Sequence, residues 1–90
     1  MCRNIRPLFN YEPRATEAEL RNAALQYVRK VSGFQKPSQA NQAAFERAVD
    51  EVCEATRRLV GALTTTAPPR DRAAETARLR ARNARRFGAA

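Results

Sequence analysis

The residue types that support most enzyme chemistry are absent from this chain of 90 residues, or too few to form a site. Histidine does not occur, which removes the most frequent general base, the usual partner of a nucleophilic serine or cysteine, and the most frequent zinc ligand. Two cysteines cannot form a cysteine-rich zinc site, and the three glycines are too scattered for a phosphate-binding loop. We therefore expect no enzyme activity, no metal, no cofactor and no small-molecule substrate.

Cys2 is the single side chain with the clearest reactive potential. Removal of Met1 would leave it with a free amine beside its thiol, and the neighbouring Arg3 and Arg6 would favour the thiolate. Three roles are open for this predicted reactive thiol: a nucleophile, a sensor of redox state or captor of a metal or ligand, and a thiol that only packs, which is favoured. Cys53 is predicted to be buried in a helix, and so few cysteines fit a reducing cytoplasm better than a secreted disulfide protein.

The net charge of +8 is concentrated toward the C-terminus. Residues 67–90 contain seven basic and two acidic residues, a net charge of +5, whereas residues 34–66 are neutral. Guanidinium groups pair bidentately with phosphates, and arginine-rich segments bind RNA or lie along DNA backbones. We therefore expect a phosphate-binding surface, assisted by Arg3 and Arg6, at five arginines in nine residues: Arg78, Arg80, Arg82, Arg85 and Arg86.

Other interpretations of this basic segment stay open. In one, the segment is a solvated tail; in the other, it docks on the acidic residues Asp50, Glu51 and Glu54. If the segment does not dock there, these acidic residues are expected to form a solvated face with salt bridges to the interleaved arginines. Two functions follow from these alternatives. The protein is a non-catalytic module that binds RNA, DNA or another polyanion, or it is an interaction module that forms a homodimer or docks on a partner.

The first helix is marked at both ends. Thr16 and Glu19 have the spacing of a capping box, and Gly33 is suited to a left-handed C-cap after the cations Arg29 and Lys30. Between these signals, apolar residues recur at helical spacing: Leu20, Ala23, Ala24, Tyr27, Val28 and Val31. The sequence therefore predicts a helix that buries one face.

A second amphipathic helix is predicted to begin after Ser38 or Asn41 and to end near Thr64. The short connection through Pro37 predicts an antiparallel hairpin of residues 16–33 and 38–64. One hairpin buries little apolar surface, so two chains could share a core as a homo-oligomer. The expected core residues of the second helix form a narrow seam: Phe45, Val49, Val52, Thr56, Leu59 and Leu63.

The predicted fold is all-α, with an N-terminal arm at residues 1–15, the hairpin core at 16–64, and a Pro-Pro linker and basic helix at 65–90. The arm is expected to cover one end of the core.

Asp71 is the predicted N-cap of the third helix, over residues 71–87, and Gly88 ends it. No strand pattern appears, and no apolar run is long enough to cross a membrane. The weakly docking apolar side of the third helix consists of Ala74, Ala77, Ala81 and Ala84.

Several short blocks resemble a small bacterial family of uncharacterised proteins, catalogued as a domain of unknown function. The opening Met1-Cys2-Arg3-Asn4-Ile5-Arg6 and the following Leu8-Phe9-Asn10-Tyr11 carry the resemblance most specifically. Further matches are the blocks at residues 15–16, 23–33, 36–38 and 68–72, whereas Pro13-Arg14 stands where the family has Pro-Pro. The resemblance implies a bacterial, cytoplasmic, stand-alone protein and an arm with a defined role, and it supplies no activity.

Overall fold

The computed structural model describes residues 5–86, with the side chains described as far as residue 84. It contains three α-helices: α1 (Glu17–Ser32), α2 (Gln42–Ala62) and α3 (Arg72–Arg86). The fold is mainly helical, which confirms the predicted all-α class. Cys2, Arg3 and the predicted helix end at Phe87 and Gly88 lie outside the described residues.

Both predicted ends of α1 are confirmed. The Thr16 hydroxyl accepts a hydrogen bond from the Glu19 backbone N–H at 3.1 Å, and the Glu19 carboxylate accepts one from the Thr16 N–H at 2.8 Å. This reciprocal pair satisfies two donors that the helix itself leaves free. At the other end, Gly33 adopts a left-handed conformation with φ of 79°, and its N–H bonds to the carbonyl of Arg29.

A short 3₁₀ segment (Gln39–Asn41) leads into α2. Ser38 and Asn41, the two alternative caps, both take part: Ser38 precedes the 3₁₀ segment and Asn41 precedes α2. Their side chains bond to each other at 2.9 Å, and neither caps a helix N–H. The start of α2 is therefore set by this turn rather than by a side-chain cap.

The core lies between α1 and α2. Leu8 of the arm packs against it, together with the half-buried Leu25, so the arm does cover part of the core as predicted. Cys53 is buried, as the sequence predicted, and is a free thiol. The buried residues are Leu20, Ala24 and Val28 from α1 and Phe45, Val49 and Cys53 from α2.

The prediction that the apolar seam of α2 is buried along its whole length is wrong at its C-terminal end. Leu59 is 58% exposed and Leu63 is 44% exposed. Val60, by contrast, is partly buried and packs against the core. Consecutive residues of a helix point about 100° apart, so this end of α2 is covered on the side of Val60 and open on the side of Leu59.

No strands were predicted, yet the arm and the linker form a short parallel pair: β1 (Tyr11–Glu12) and β2 (Arg70–Asp71). Tyr11 is paired with Arg70, and Glu12 with Asp71. Two residues per strand are too few to show an alternating pattern, so periodicity could not reveal them.

Asp71 caps α3 as predicted, because its carboxylate accepts hydrogen bonds from the N–H groups of Ala73 (2.8 Å) and Ala74 (3.3 Å). The alanine side that was predicted to dock only weakly is exposed at all four positions, Ala74, Ala77, Ala81 and Ala84, in agreement with weak docking. The partly buried residues of α3 are instead Arg72, Glu75 and Leu79. Alanine buries too little area to fix the orientation of a helix, and an ion pair at Arg72 fixes it here.

None of the helices within residues 5–86 is both long enough and apolar enough to cross a membrane.

Replacing Val49, which is 4% exposed, by aspartate should lower the melting temperature by about 10 °C or more, because an unpaired carboxylate would be buried in the core. Thermal unfolding followed by far-UV circular dichroism measures this. The control is Ala43→Asp, an exposed position in the first turn of α2 where a negative charge suits the helix dipole, and it should melt like the wild type. Equal melting of the wild type and Val49→Asp would contradict the described core.

Candidate functional site

The arm and the linker meet in a cluster that we call the clasp: Asn10, Tyr11, Glu19, Arg70 and Arg72. Asn10 adopts a left-handed backbone conformation with φ of 65°, which asparagine tolerates better than most residues. Its carbonyl accepts a hydrogen bond from the Arg70 N–H at 2.7 Å. Its side-chain amide donates to the carbonyl of Pro68 at 3.0 Å. Asn10 therefore holds the linker against the arm.

Arg72 is the residue that joins the clasp to α1. Its two terminal nitrogens donate to the two carboxylate oxygens of Glu19 at 2.8 and 2.9 Å, and its Nε donates to the carbonyl of Pro13 at 2.8 Å. The guanidinium groups of Arg70 and Arg72 both lie over the Tyr11 ring, 5.6 and 5.1 Å from its centroid. These are cation–π distances, so the ring contributes to holding both cations in place.

The bidentate bond from Arg72, with the Thr16 N–H as a second donor, holds the pKa of Glu19 at about 2. A similar but weaker effect occurs at Glu17, whose pKa is lowered chiefly by the hydrogen bond from Arg57, and the pKa of Arg57 is raised in return. Both carboxylates belong to the first turn of α1. The ionised form of each therefore stabilises contacts with a distant part of the chain.

The basic segment extends from this clasp as α3. Arg78 is exposed and pairs with Glu75 at 2.5 Å, whereas Arg80 and Arg82 are exposed without a carboxylate within 4.0 Å among the described side chains. At 100° per residue, positions 78, 82, 85 and 86 fall on one side of the helix and position 80 on the other. The side chains of Arg85 and Arg86 lie outside the described part of the chain.

The acidic residues of α2 do not receive this helix. Asp50 pairs with Arg21 at 2.8 Å, and Glu51 pairs with Arg47 at 3.0 Å. Glu54 pairs with both Arg57 and Arg58. All three carboxylates are exposed, so the solvated, salt-bridged face predicted from the sequence is present, and the alternative in which the basic segment docks there is wrong for its described part.

Arg6, another arginine of the predicted phosphate-binding surface, lies beside α1. It lines a polar cleft of about 590 Å³ on α1, with Arg29 and the amide side chains of Asn22, Gln26 and Gln35. Arg29 is partly committed, because its Nε donates to the carbonyl of Gln35 at 3.1 Å. Arg78, Arg80 and Arg82 are not among the residues that line this cleft, and Arg3 lies outside the described residues.

Within residues 5–86, the structure contains no group of three side chains of the metal-binding types close enough to hold an ion. Cys53 is buried against α1, with an Arg57 nitrogen 3.8 Å from its sulfur. Cys2, the predicted reactive thiol, lies outside the described residues.

The clasp was not predicted from the sequence. Asn10, Tyr11, Arg70 and Arg72 stand in blocks that carry the family resemblance, and no function was predicted for any of them. One signal was present: Arg70 and Arg72 are two positions apart, the spacing that places side chains on the same side of an extended segment. Tyr11, which contacts both arginines, is separated from them by about two thirds of the chain. Spacing rules relate only residues that are a few positions apart, so they could not predict this contact.

The clasp generates a pH prediction. Glu19 has a folded-state pKa of about 2, below the ordinary value of about 4.3, so its stabilisation is complete above about pH 5 and is lost as the pH falls toward 2. Between pH 6 and pH 3, Glu19→Gln should lose about 2–4 °C less in melting temperature than the wild type, since the pair is partly solvated.

Glutamine keeps the capping-box hydrogen bonds, so this variant isolates the ion pair. The control is Glu46→Gln, an exposed carboxylate that accepts only a hydrogen bond from Gln42 among the described side chains and should follow the wild type. The same loss in Glu19→Gln as in the wild type would show that the ion pair does not stabilise the fold.

Comparison with known proteins identifies a family and no close relative of known function. No curated protein matches the chain, and no solved structure matches it. A family described as "Uncharacterized conserved protein (DUF2277)" matches residues 1–78, which include the arm, α1, α2 and the complete clasp and leave out most of the basic segment. Because the match extends over most of the 90 residues, the chain belongs to this family of uncharacterised conserved proteins.

Proposed function

We propose that the protein is a non-catalytic module that binds the phosphate backbone of RNA or DNA through α3. The observation that carries the proposal is the position of α3, which is anchored at its first turn and, apart from the partly buried Leu79, exposed over the rest of its described side chains. Arg72 and Asp71 fix the beginning of the helix, whereas Arg80 and Arg82 extend into solvent without a carboxylate partner among the described residues. Exposed guanidinium groups on a helix suit a phosphate backbone, with which they pair bidentately.

The hairpin acts as a support in this proposal. Contacts between the first turn of α1 and the later part of α2, Glu17 with Arg57, and between the next turn and the middle of α2, Arg21 with Asp50, support an antiparallel arrangement of the two helices. The arginines of the hairpin are largely occupied by such pairs. Those of the outer part of α3 therefore provide the main cationic surface that is free for a polyanion.

Little preference for nucleotide sequence is expected. The described part of α3 presents arginine and alanine without an aromatic side chain on which a base could stack, and Asn83 is its only amide. Binding should therefore depend on phosphate charge and on salt. The setting we propose is the cytoplasm of a bacterium, where a buried free thiol such as Cys53 stays reduced.

The test is a titration of labelled duplex DNA and single-stranded RNA with the full-length protein at about 50 and about 200 mM salt. Neutralising about five phosphates should give a slope of about −4 for log K against log salt on duplex DNA, and slightly less on a single strand. Replacing Arg78, Arg80 and Arg82 together by glutamine keeps helix propensity and should reduce that slope by about 2–3 and the affinity at low salt by about tenfold or more.

A control variant of equal charge separates this site from general electrostatic attraction. Replacing Arg14, Lys30 and Lys36 by glutamine removes three exposed cations that form no ion pair among the described side chains. This variant should bind within about twofold of the wild type if α3 is the binding surface. Equal weakening of both triple variants, or no binding by the wild type at low salt, would refute a role for α3.

A further inference from the structure

An uncharged stripe runs along α2 beside the face that α1 covers. Its residues recur at spacings of three and four, so they share one side of the helix. They are exposed or half-buried, and the stripe spans about 28 Å of helix. Its members are Ala44, Ala48, Val52, Ala55, Leu59 and, directly after the helix, Leu63.

The two ends of this stripe have opposite shapes. At the N-terminal end, the small side chains of Ala44 and Ala48 form part of an apolar groove of about 290 Å³, with walls from Tyr27, Val31 and Phe34. No charged side chain of the described residues lines this groove. Val31 is 69% exposed there, so an apolar surface remains open to solvent.

The C-terminal end of the stripe carries large side chains instead of small ones. Leu59 and Leu63 are both exposed. They are the C-terminal members of the stripe and follow the residues that line the groove. One end of the stripe is thus recessed, and the other protrudes.

A two-fold axis between two copies of the chain would bring opposite ends of the stripe together. A two-fold axis that crosses α2 midway between residues 53 and 54 places Leu59 of one chain opposite Ala48 of another, and Leu63 opposite Ala44. The same axis places Ala55 opposite Val52. Large side chains meet small ones at every such position, which is the requirement for a self-complementary, isologous interface.

We propose that this surface binds a second copy of the same chain, with the two α2 helices antiparallel across the two-fold axis. Leu59 and Leu63 of each chain then fill the groove beside Ala44 and Ala48 of the other. A chain with a net charge of +8 repels its own copies, so a contact between copies requires a surface without like charges, and the stripe provides one. The small core of the single chain, six buried residues among those described, gives a dimer a further advantage in buried apolar area.

This inference is independent of the proposed function, because the stripe contains no residue of α3. The two interactions also depend on salt in opposite ways. Salt weakens binding to a phosphate backbone, whereas it screens the repulsion between two positively charged chains and leaves apolar contacts intact.

The first test is the mass of the full-length protein, measured by sedimentation equilibrium across a dilution series. The wild type should have twice the mass of one chain, and the dimer should persist in high salt. Leu59→Glu and Val31→Glu each add a charge at a position that is already exposed in the single chain, so both should fold with unchanged helical content and sediment as monomers. Ala43→Glu, exposed on another side of α2, is the matched control and should remain a dimer.

A wild-type protein that is a monomer at every concentration would overturn the proposal, and the groove would then belong to the chain's own termini or to a different protein. A dimer that persists in both Leu59→Glu and Val31→Glu would overturn it equally, because the interface would lie elsewhere.

The second test examines the antiparallel register, in a Cys2→Ser background with Cys53 left in place as a buried thiol. Proteins carrying Ala48→Cys or Leu59→Cys are mixed, allowed to exchange subunits and oxidised. Only the mixture should form a disulfide-linked dimer, since positions 48 and 59 of different chains face each other. Each variant alone places its new thiols about 16 Å apart along the helix, which is beyond disulfide reach. A disulfide formed by Leu59→Cys alone, or none in the mixture, would overturn the register.

Discussion

The carboxylate of Glu19 is the group on which the arrangement of this protein depends. It accepts the Thr16 N–H that completes the capping box of α1, and it receives both terminal nitrogens of Arg72 at the start of α3. Arg72 in turn contacts the arm, at the Pro13 carbonyl and over the Tyr11 ring. One ionised side chain therefore connects the arm, the first helix and the third helix, and α3 has few other contacts that could set its direction.

Local signals in the sequence were sufficient for much of this fold. The capping box at Thr16, the left-handed cap at Gly33 and the cap at Asp71 all depend on residues within a few positions of one another, and all three are present. The contact between Glu19 and Arg72 is different, because its partners are 53 residues apart and each has a sufficient local explanation. A capping-box glutamate and one arginine among 15 give no indication that they bind each other.

The spacing of apolar residues predicted which side of α2 is apolar, but it did not predict which of those residues a second helix covers. Phe45 and Val49 are buried against α1, whereas Leu59 belongs to the same seam and is exposed, although its neighbour Val60 packs against the core. Which side of the seam is covered depends on where the second helix lies, and a single-helix pattern does not contain that information.

The arginines fall into two groups with different physical roles. Arg21, Arg57 and Arg72 are bound to carboxylates on other elements and hold the fold together, whereas Arg80 and Arg82 have no such partner among the described side chains. The family match covers the first group and ends at residue 78, within α3. The contact between Glu19 and Arg72 that sets the direction of α3 therefore lies inside the matched residues, while Arg80 and Arg82 lie beyond them.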